Sequence, residues 1–374
     1  MRKWLVLIAF GLTACAPAGT PPSASPSSPS PAIAASVTPA ASAATGNTFT
    51  MPTDRDMITF AADRGALIAF SSRDAPPPYE SKVQRAEPGA IAWRTIYTSD
   101  SHFSGGRVAN GRVALLEYRE PFQGGGAYSV DFTVVDLATG TATAIDRFAM
   151  TSATYRGGGS NSRRPNASIV LGADRVAWTS LVEGPGGSVT GELRVASLAD
   201  PARATLIAAS AEWIGPLGLD AHRLLYVLGG KTEDELHLRD LDSGADKVVV
   251  AGAVGDQQRE GGIPGFNAAV LSGDWAVWLD TPRSAAAGMI RAVNVVSGGV
   301  RTIDAGGSSC SQVTAGTRYV AWYCSPSVNG IRDVETLEPA REVPVGVAPE
   351  ASDDALLWFT VVPSGRTVTL FRPR

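Results

Sequence analysis

Apolar residues in this chain fall in short runs that return every few dozen residues. The clearest run is Arg175-Val176-Ala177-Trp178, and variants of it lie at Ala66–Phe70, Arg112–Leu115, Arg223–Tyr226, Trp275–Trp278, Tyr319–Trp322 and Ala355–Trp358. Aligned at their last residue, the seven copies are 45, 63, 48, 52, 44 and 36 residues apart, 48 on average. Periods of that order mark propellers or solenoids. No helical periodicity competes, so the content of one unit decides between them.

The fifth unit is the clearest. Asn267–Leu271 reads as a strand, Ser272-Gly273-Asp274 as a tight turn and Trp275–Leu279 as a second strand. Ile290–Val295, the turn Ser297-Gly298-Gly299 and Val300–Ile303 complete it. Four short antiparallel strands are the content of a propeller blade. Val134–Gly140 aligns with Leu238–Gly244 as a third strand and its hairpin turn, where Gly and Asp supply the positive φ that tight hairpins need.

Side chains alternate across a strand, so Val176 and Trp178 face one way and Ala177 the other. A blade is covered on both faces by its neighbours, which explains an apolar run in place of apolar/polar alternation. Large residues on one face and Ala on the other let adjacent blades interlock. The aromatic stripe is therefore core.

The last unit is short of one outer strand, and Thr48–Met51, lying ahead of the first unit's own strands, supplies it and closes the ring. The pattern predicts an all-β, seven-bladed propeller of four-stranded antiparallel blades, with six or eight blades still open. The succession of turn, Arg-Val-Ala-Trp strand and strand ending in Asp-Leu-x-x-Gly resembles the TolB-like and WD-type β-propeller repeats over residues 48 to 374. That resemblance implies the fold and carries no single function, because function varies among such propellers. It departs from the TolB form where Ser272-Gly273-Asp274 and Gly172-Ala173-Asp174 stand in place of Ser-Pro-Asp-Gly.

Composition fits this reading. The 374 residues are 44% hydrophobic and 18% charged, and 40 Gly with 25 Pro leave little room for long helices. Net charge is −4, and no basic cluster is longer than Arg163-Arg164, so nucleic acid is not an expected partner.

The N-terminus changes the picture more. Arg2 and Lys3 precede an uncharged run from Trp4 to Ala14, too short to span a bilayer and proportioned as a signal peptide. It ends in Leu12-Thr13-Ala14-Cys15, which resembles the bacterial lipobox. An ordinary signal peptide with a bystander cysteine is the alternative. The expected organisation is a lipoprotein signal peptide over 1–14, a disordered Pro/Ser/Ala-rich tether over 15–46 and the propeller over 47–374. Lipidated Cys15 would hold the protein outside the cytoplasm on a bacterial membrane, periplasmic or at the cell surface, with a mature charge of −6. Cys310 and Cys324 flank the hairpin Thr314–Arg318 symmetrically, so directly opposed strands would bring them within disulfide reach. Two packed thiols are the alternative.

Candidate chemistry lies in the long stretches that interrupt the repeat: Glu120–Tyr128, Met150–Asn166, Val182–Gly191, Ala251–Pro264 and Thr281–Gly288. Tyr155, Arg156, Arg163 and Arg164 offer forked hydrogen bonds and stacking to an anionic or sugar ligand. Gln257, Gln258, Arg259 and Glu260 form a second polar group, and Tyr118 with Phe122 an aromatic platform. His102 begins an inner strand and approaches the channel. His102, His222 and His237 show no metal-ligand spacing, and no nucleophile elbow or phosphate loop occurs. No cofactor, metal site or catalytic residue is assigned. The expected function is non-catalytic binding of a protein or glycan in the cell envelope by a monomer, through the face on which these long loops emerge. A carbohydrate-active hydrolase or lyase is the second reading, and a scaffold of an envelope assembly complex the third.

Overall fold

Strands form where the apolar runs predict them. The computed structural model describes residues 47–50, 57–72, 79–87, 92–119, 128–150, 165–231, 233–253, 269–280, 289–304, 309–316, 318–325, 328–339, 349–352, 355–362 and 365–371. These all lie in one compact unit, Ala44–Arg374. The predicted leader and the whole tether, Cys15 included, lie outside the described residues.

The first sheet holds β2 (Met57–Asp63), β3 (Ala66–Ser72), β4 (Ser81–Ala86) and β5 (Arg94–Ser99), in that order. The second holds β6 (His102–Ala109), β7 (Arg112–Arg119), β8 (Tyr128–Asp136) and β9 (Ala142–Met150). The third holds β10 (Ser168–Leu171), β11 (Arg175–Glu183), β12 (Val189–Ser197) and β13 (Asp200–Ser210). The fourth holds β14 (Ile214–Leu219), β15 (Arg223–Gly229), β16 (Glu233–Asp240) and β17 (Asp246–Ala253). The fifth holds β18 (Val270–Ser272), β19 (Trp275–Asp280), β20 (Met289–Asn294) and β21 (Val300–Asp304). Then come β22 (Ser309–Ala315), β23 (Tyr319–Ser325) and β24 (Val328–Asp333) in a three-stranded sheet, and β25 (Pro349–Ser352), β26 (Ala355–Val362) and β27 (Gly365–Phe371), which share a sheet with β1 (Asn47–Thr50).

Every pairing is antiparallel, and each copy of the repeated run lies in the second strand of its sheet. The expectation of seven four-stranded blades needs correction. Six sheets carry four strands, and the β22–β24 sheet carries three, with only an isolated Arg332–Pro339 bridge beyond β24 among the described residues. A second correction concerns 182–191, read above as a loop. β11 continues to Glu183 and β12 starts at Val189, leaving a short connection that contains one 3₁₀ turn, Pro185–Gly187.

The core is divided among the gaps between blades. Val176 and Trp178 pack with Ala114, Leu116 and Phe132 of the second blade, whereas Ala177 packs with Ile214, Leu224 and Tyr226 of the fourth. Equivalent clusters join the first blade to the second and the fifth to the sixth. One more joins Phe60 and Leu67 of the first blade to Phe49 of β1 and to Leu357, Val368 and Leu370 of the terminal sheet. Trp178 is 1% exposed, so its burial contributes through area and close contact, on the order of 3 kcal/mol.

Outer strands repeat a second device. In the first four blades the pairing of strands three and four skips one residue, and the skipped residues are Ile96, Ile145, Ile207 and Val249. Each is a β-bulge whose side chain packs into the cluster shared with the next blade. A bulge also spoils the edge for pairing with another chain.

The hairpin between strands three and four is fixed by its first residue. Asp136 Oδ1 accepts hydrogen bonds from the N–H groups of Ala138 and Thr139, and Asp240 Oδ1 does the same for Asp242 and Ser243. Asn294 and Asp333 repeat the arrangement. The next residue returns to the turn between strands one and two: Leu137, Leu241, Val295 and Val334 donate to the carbonyls of Gly111, His222, Asp274 and Arg318. This accounts for the Asp-Leu-x-x-Gly signature in hydrogen bonds.

Candidate functional site

Most side chains singled out in the sequence fall outside the described residues. This holds for Phe122, for Tyr155, Arg156, Arg163 and Arg164, and for Gln257, Arg259 and Glu260. His102 is described: it opens β6, is half-buried, and meets Tyr79 edge-on at 6.1 Å between ring centroids. The other two histidines both lie in the fourth blade, His222 against Asp242 at 2.6 Å and His237 between Glu235 and Asp246 at 2.9 and 3.1 Å. Backbone register sets Cys310 directly opposite Cys324, as predicted, while their side chains lie outside the described residues. Among the described residues no group of three or more His, Cys, Asp or Glu converges on a point that would hold a metal.

Two polar assemblies lie beside the second blade. The first is buried where that blade meets the first. Glu117 on β7 is 1% exposed, and its carboxylate accepts hydrogen bonds from Ser99 at 2.5 Å, Ser101 at 2.9 Å and Tyr97 at 3.1 Å. Ser81 extends the chain by donating to the Ser101 carbonyl at 2.7 Å, and Ser72 meets Ser81 at 2.7 Å. Burial, then the neighbouring Glu117 charge, pushes the Tyr97 hydroxyl up to about 12. A buried carboxylate with three hydroxyl donors is compensated, which makes this assembly a polar rivet between blades.

The second assembly is open. A cleft of about 970 Å³ lies between the second and third blades, lined by β9 on one side, β13 on the other, and β11 with β12. Trp178 and Phe148 underlie it, both almost fully buried. The Trp178 indole N–H donates to Asp146 Oδ2 at 2.8 Å, across the blade boundary. Asp146 reaches that position because the bulge at Ile145 precedes it. Arg147, next along β9, is exposed and forks onto Asp131, which Arg119 also contacts at 2.6 Å. On the opposite side Arg194 pairs with Glu192 at 2.5 Å. Glu183, Val182 and the Gly184–Gly187 connection complete the upper rim.

The cleft therefore offers carboxylates and guanidinium groups along walls with an apolar base. It can hold a ligand by charge and hydrogen bonds, whereas the rings beneath it present no open face for stacking. Sequence reasoning missed it because its residues come from four strands, and strand residues in such a repeat read as core. The one available signal was charge inside strands: Asp146, Arg147, Glu192 and Arg194 interrupt otherwise apolar segments.

Comparison with known proteins gives fold and no more. The chain is similar to β-propeller proteins. No protein-family model matches it, and no curated protein does. A solved prolyl endopeptidase matches with a TM-score of 0.53 and 13% identity over 88% of this chain, which spans only 51% of the endopeptidase. An oligogalacturonate lyase in complex with manganese matches with a TM-score of 0.52 and 10% identity, over 88% of this chain and 96% of the lyase. TolB from Acinetobacter baumannii is also among the similar structures, at a TM-score of 0.41 and 13% identity over 82% of this chain and 80% of TolB. Identities this low show shared architecture alone.

Proposed function

We propose that this chain is a membrane-tethered, extracytoplasmic lipoprotein whose propeller binds a partner through the cleft between its second and third blades. In this reading Cys15 carries the lipid and the Pro/Ser/Ala-rich segment sets the distance from the membrane. The propeller is a seven-bladed ring closed by β1, and the pairing of Asn47–Thr50 with Leu370–Thr367 supports that closure. Cys310 and Cys324 form a disulfide across β22 and β23, supported by their direct register. The observation that carries the binding role is the cleft itself: open, large enough for a ligand, and walled by charged side chains of the outer strands above an apolar base.

The test combines location with capture. In a bacterial host that processes lipoproteins, Cys15→Ala should release the protein from membranes, and persistent membrane association would remove the lipidation reading. Gentle crosslinking in native envelope extracts should then recover a partner with the unaltered protein and lose it when Arg147 and Arg194 are both replaced by Ala. Recovery of the protein alone would count against binding, and co-purification of a set of membrane proteins would favour a scaffold.

A carbohydrate-active enzyme is the second reading. It is favoured by the match over nearly the whole length of the oligogalacturonate lyase. Incubation with oligogalacturonate, with and without manganese, decides it: turnover would replace the binding role, and unchanged substrate would remove this reading for that substrate.

A further inference from the structure

β1 differs from the other described strands in how its place is set. Each of the others pairs with a strand next to it in the chain, so a turn or short connection holds the two together. β1 instead pairs with β27, at the far end of the sequence, and the chain that follows it leads to β2 in a different sheet. No hairpin ties β1 to the edge it covers. Among the described residues it is held by the backbone ladder, Asn47–Thr50 against Leu370–Thr367, and by the Phe49 side chain.

That side chain fills a socket. Phe49 is 4% exposed and shares a cluster with Phe60 and Leu67 of the first blade and with Leu357, Val368 and Leu370 of the terminal sheet. Trp93 lies over it, at 6.4 Å between ring centroids, and also meets Phe60 at 6.0 Å. The walls thus come from two sheets. Without β1 the socket would be a cavity lined by apolar side chains, and β27 would present unpaired backbone groups along its edge. Both losses are recovered by one kind of segment, a short extended strand with an aromatic residue third of four.

Every copy of the chain carries such a segment. The β1 of a second copy would rebuild the same ladder and fill the same socket, so exchange between copies changes no contact at the site, and swapping an identical element is a low-cost route to a dimer. Concentration decides which copy supplies the strand. A segment joined to its own site by a short linker acts at an effective concentration of about 1 mM, so dilute chains keep their own β1 and crowded chains exchange.

We propose that the β27 edge and the Phe49 socket form a strand-acceptor site, filled by β1 of the same chain in dilute solution and by β1 of a second copy where copies are crowded. In the exchanged pair each copy gives its β1 and takes the other's. Both edges stay covered, and the pair closes on itself without further growth.

Disulfide trapping on the full-length chain tests this. Thr48 lies directly opposite Thr369, so one preparation carries Thr48→Cys and a second carries Thr369→Cys. A bond between positions 48 and 369 then requires β1 of one copy on β27 of another, because neither copy holds both new thiols. The two are mixed at about 1 mM and at about 1 µM, held just below the melting temperature so that strands can leave and return, and oxidised. Peptide mapping of the cross-linked dimer should find the 48–369 bond, with a yield at the lower concentration reduced roughly tenfold or more. Adding Phe49→Ala to the Thr48→Cys copy removes the side chain that fills the socket and should cut the yield roughly tenfold as well. Absence of the 48–369 bond at about 1 mM would overturn the proposal. So would equal yields at the two concentrations, or an undiminished yield with Phe49→Ala.

Discussion

Glu117 shows how a single residue can serve stability in a place where sequence suggests chemistry. An acidic side chain one step from Tyr118 near a blade rim looks like a surface charge, yet it is buried and holds three hydroxyls from the neighbouring blade. Tyr97 is the partner whose protonation reports on this assembly. Its hydroxyl loses its proton at about 12 in the folded chain against an ordinary value of 10.0, so the folded state holds that proton more tightly than the unfolded one. The sign follows from linkage: the contribution is complete below the unfolded value and is lost as pH rises through the folded value. Tyr97→Phe should cost about 1 kcal/mol near neutral pH, the net worth of one buried hydrogen bond. In urea melts the gap between parent and variant should narrow as pH climbs from 10.0 towards 12. A gap that does not change with pH would show that Tyr97 ionises as it does in water.

At the scale of the element, the hairpin between strands three and four was the most legible feature after the second strand. Its Asp, its Leu and its Gly each have a separate duty: cap the turn, return to the first hairpin, and take the left-handed conformation. Gly140, Gly244 and Gly298 have φ of 77°, 75° and 75°. Leu337 occupies the equivalent place in the sixth blade at φ 62°, so the conformation is demanded by the turn and glycine only makes it easier. The surroundings separate two otherwise identical glycines. A Cβ on Gly140 would lie 2.6 Å from the Ile96 carbonyl oxygen, whereas one on Gly298 would meet nothing within 4 Å. Gly298→Ala should therefore cost about 1 kcal/mol, the left-handed penalty alone. Gly140→Ala should cost clearly more, because β5 must also shift. Equal midpoints in urea for the two variants would refute this account.

Other features of the elements were not legible. The bulges at Ile96, Ile145, Ile207 and Val249 leave no mark in the local sequence, since an extra residue in a strand is defined only by its partner strand. The extension of β11 and β12 into what reads as a loop has a similar cause. Ser188 and three glycines between 184 and 187 suggest a long connection, but pairing of Leu181–Glu183 with Val189–Gly191 carries the strands almost to the turn.

For the whole molecule, the decisive contact is the pairing of the first described strand with the last. β1 pairs with β27, and Phe49 enters the same cluster as Phe60, Leu67 and Leu370, so four residues contribute both an edge strand and a core aromatic. Removing 47–50 would expose the edge of β27 and leave a cavity where Phe49 sits. A loss of about 3 to 5 kcal/mol is expected for the aromatic alone, seen as a lower melting temperature for the entire propeller if its blades unfold as one unit. A separate early transition, with the main one unmoved, would mean that the terminal sheet is dispensable.

The sequence by itself determined the class of this molecule, the place of its second strands and the chemistry of its hairpins. These are short-range properties: alternation within a strand, a turn residue's φ, an Asp three residues from the N–H it caps. Tertiary structure alone decided which faces became inter-blade core, where the outer strands bulge, that one sheet has three described strands, and that Asp146, Ser180 and Glu192 border one cleft. Those residues are brought together by the packing of the second blade against the third. No local pattern encodes that distance, because the repeat gives every blade the same strands and only the unequal side chains between them make one gap different from the next.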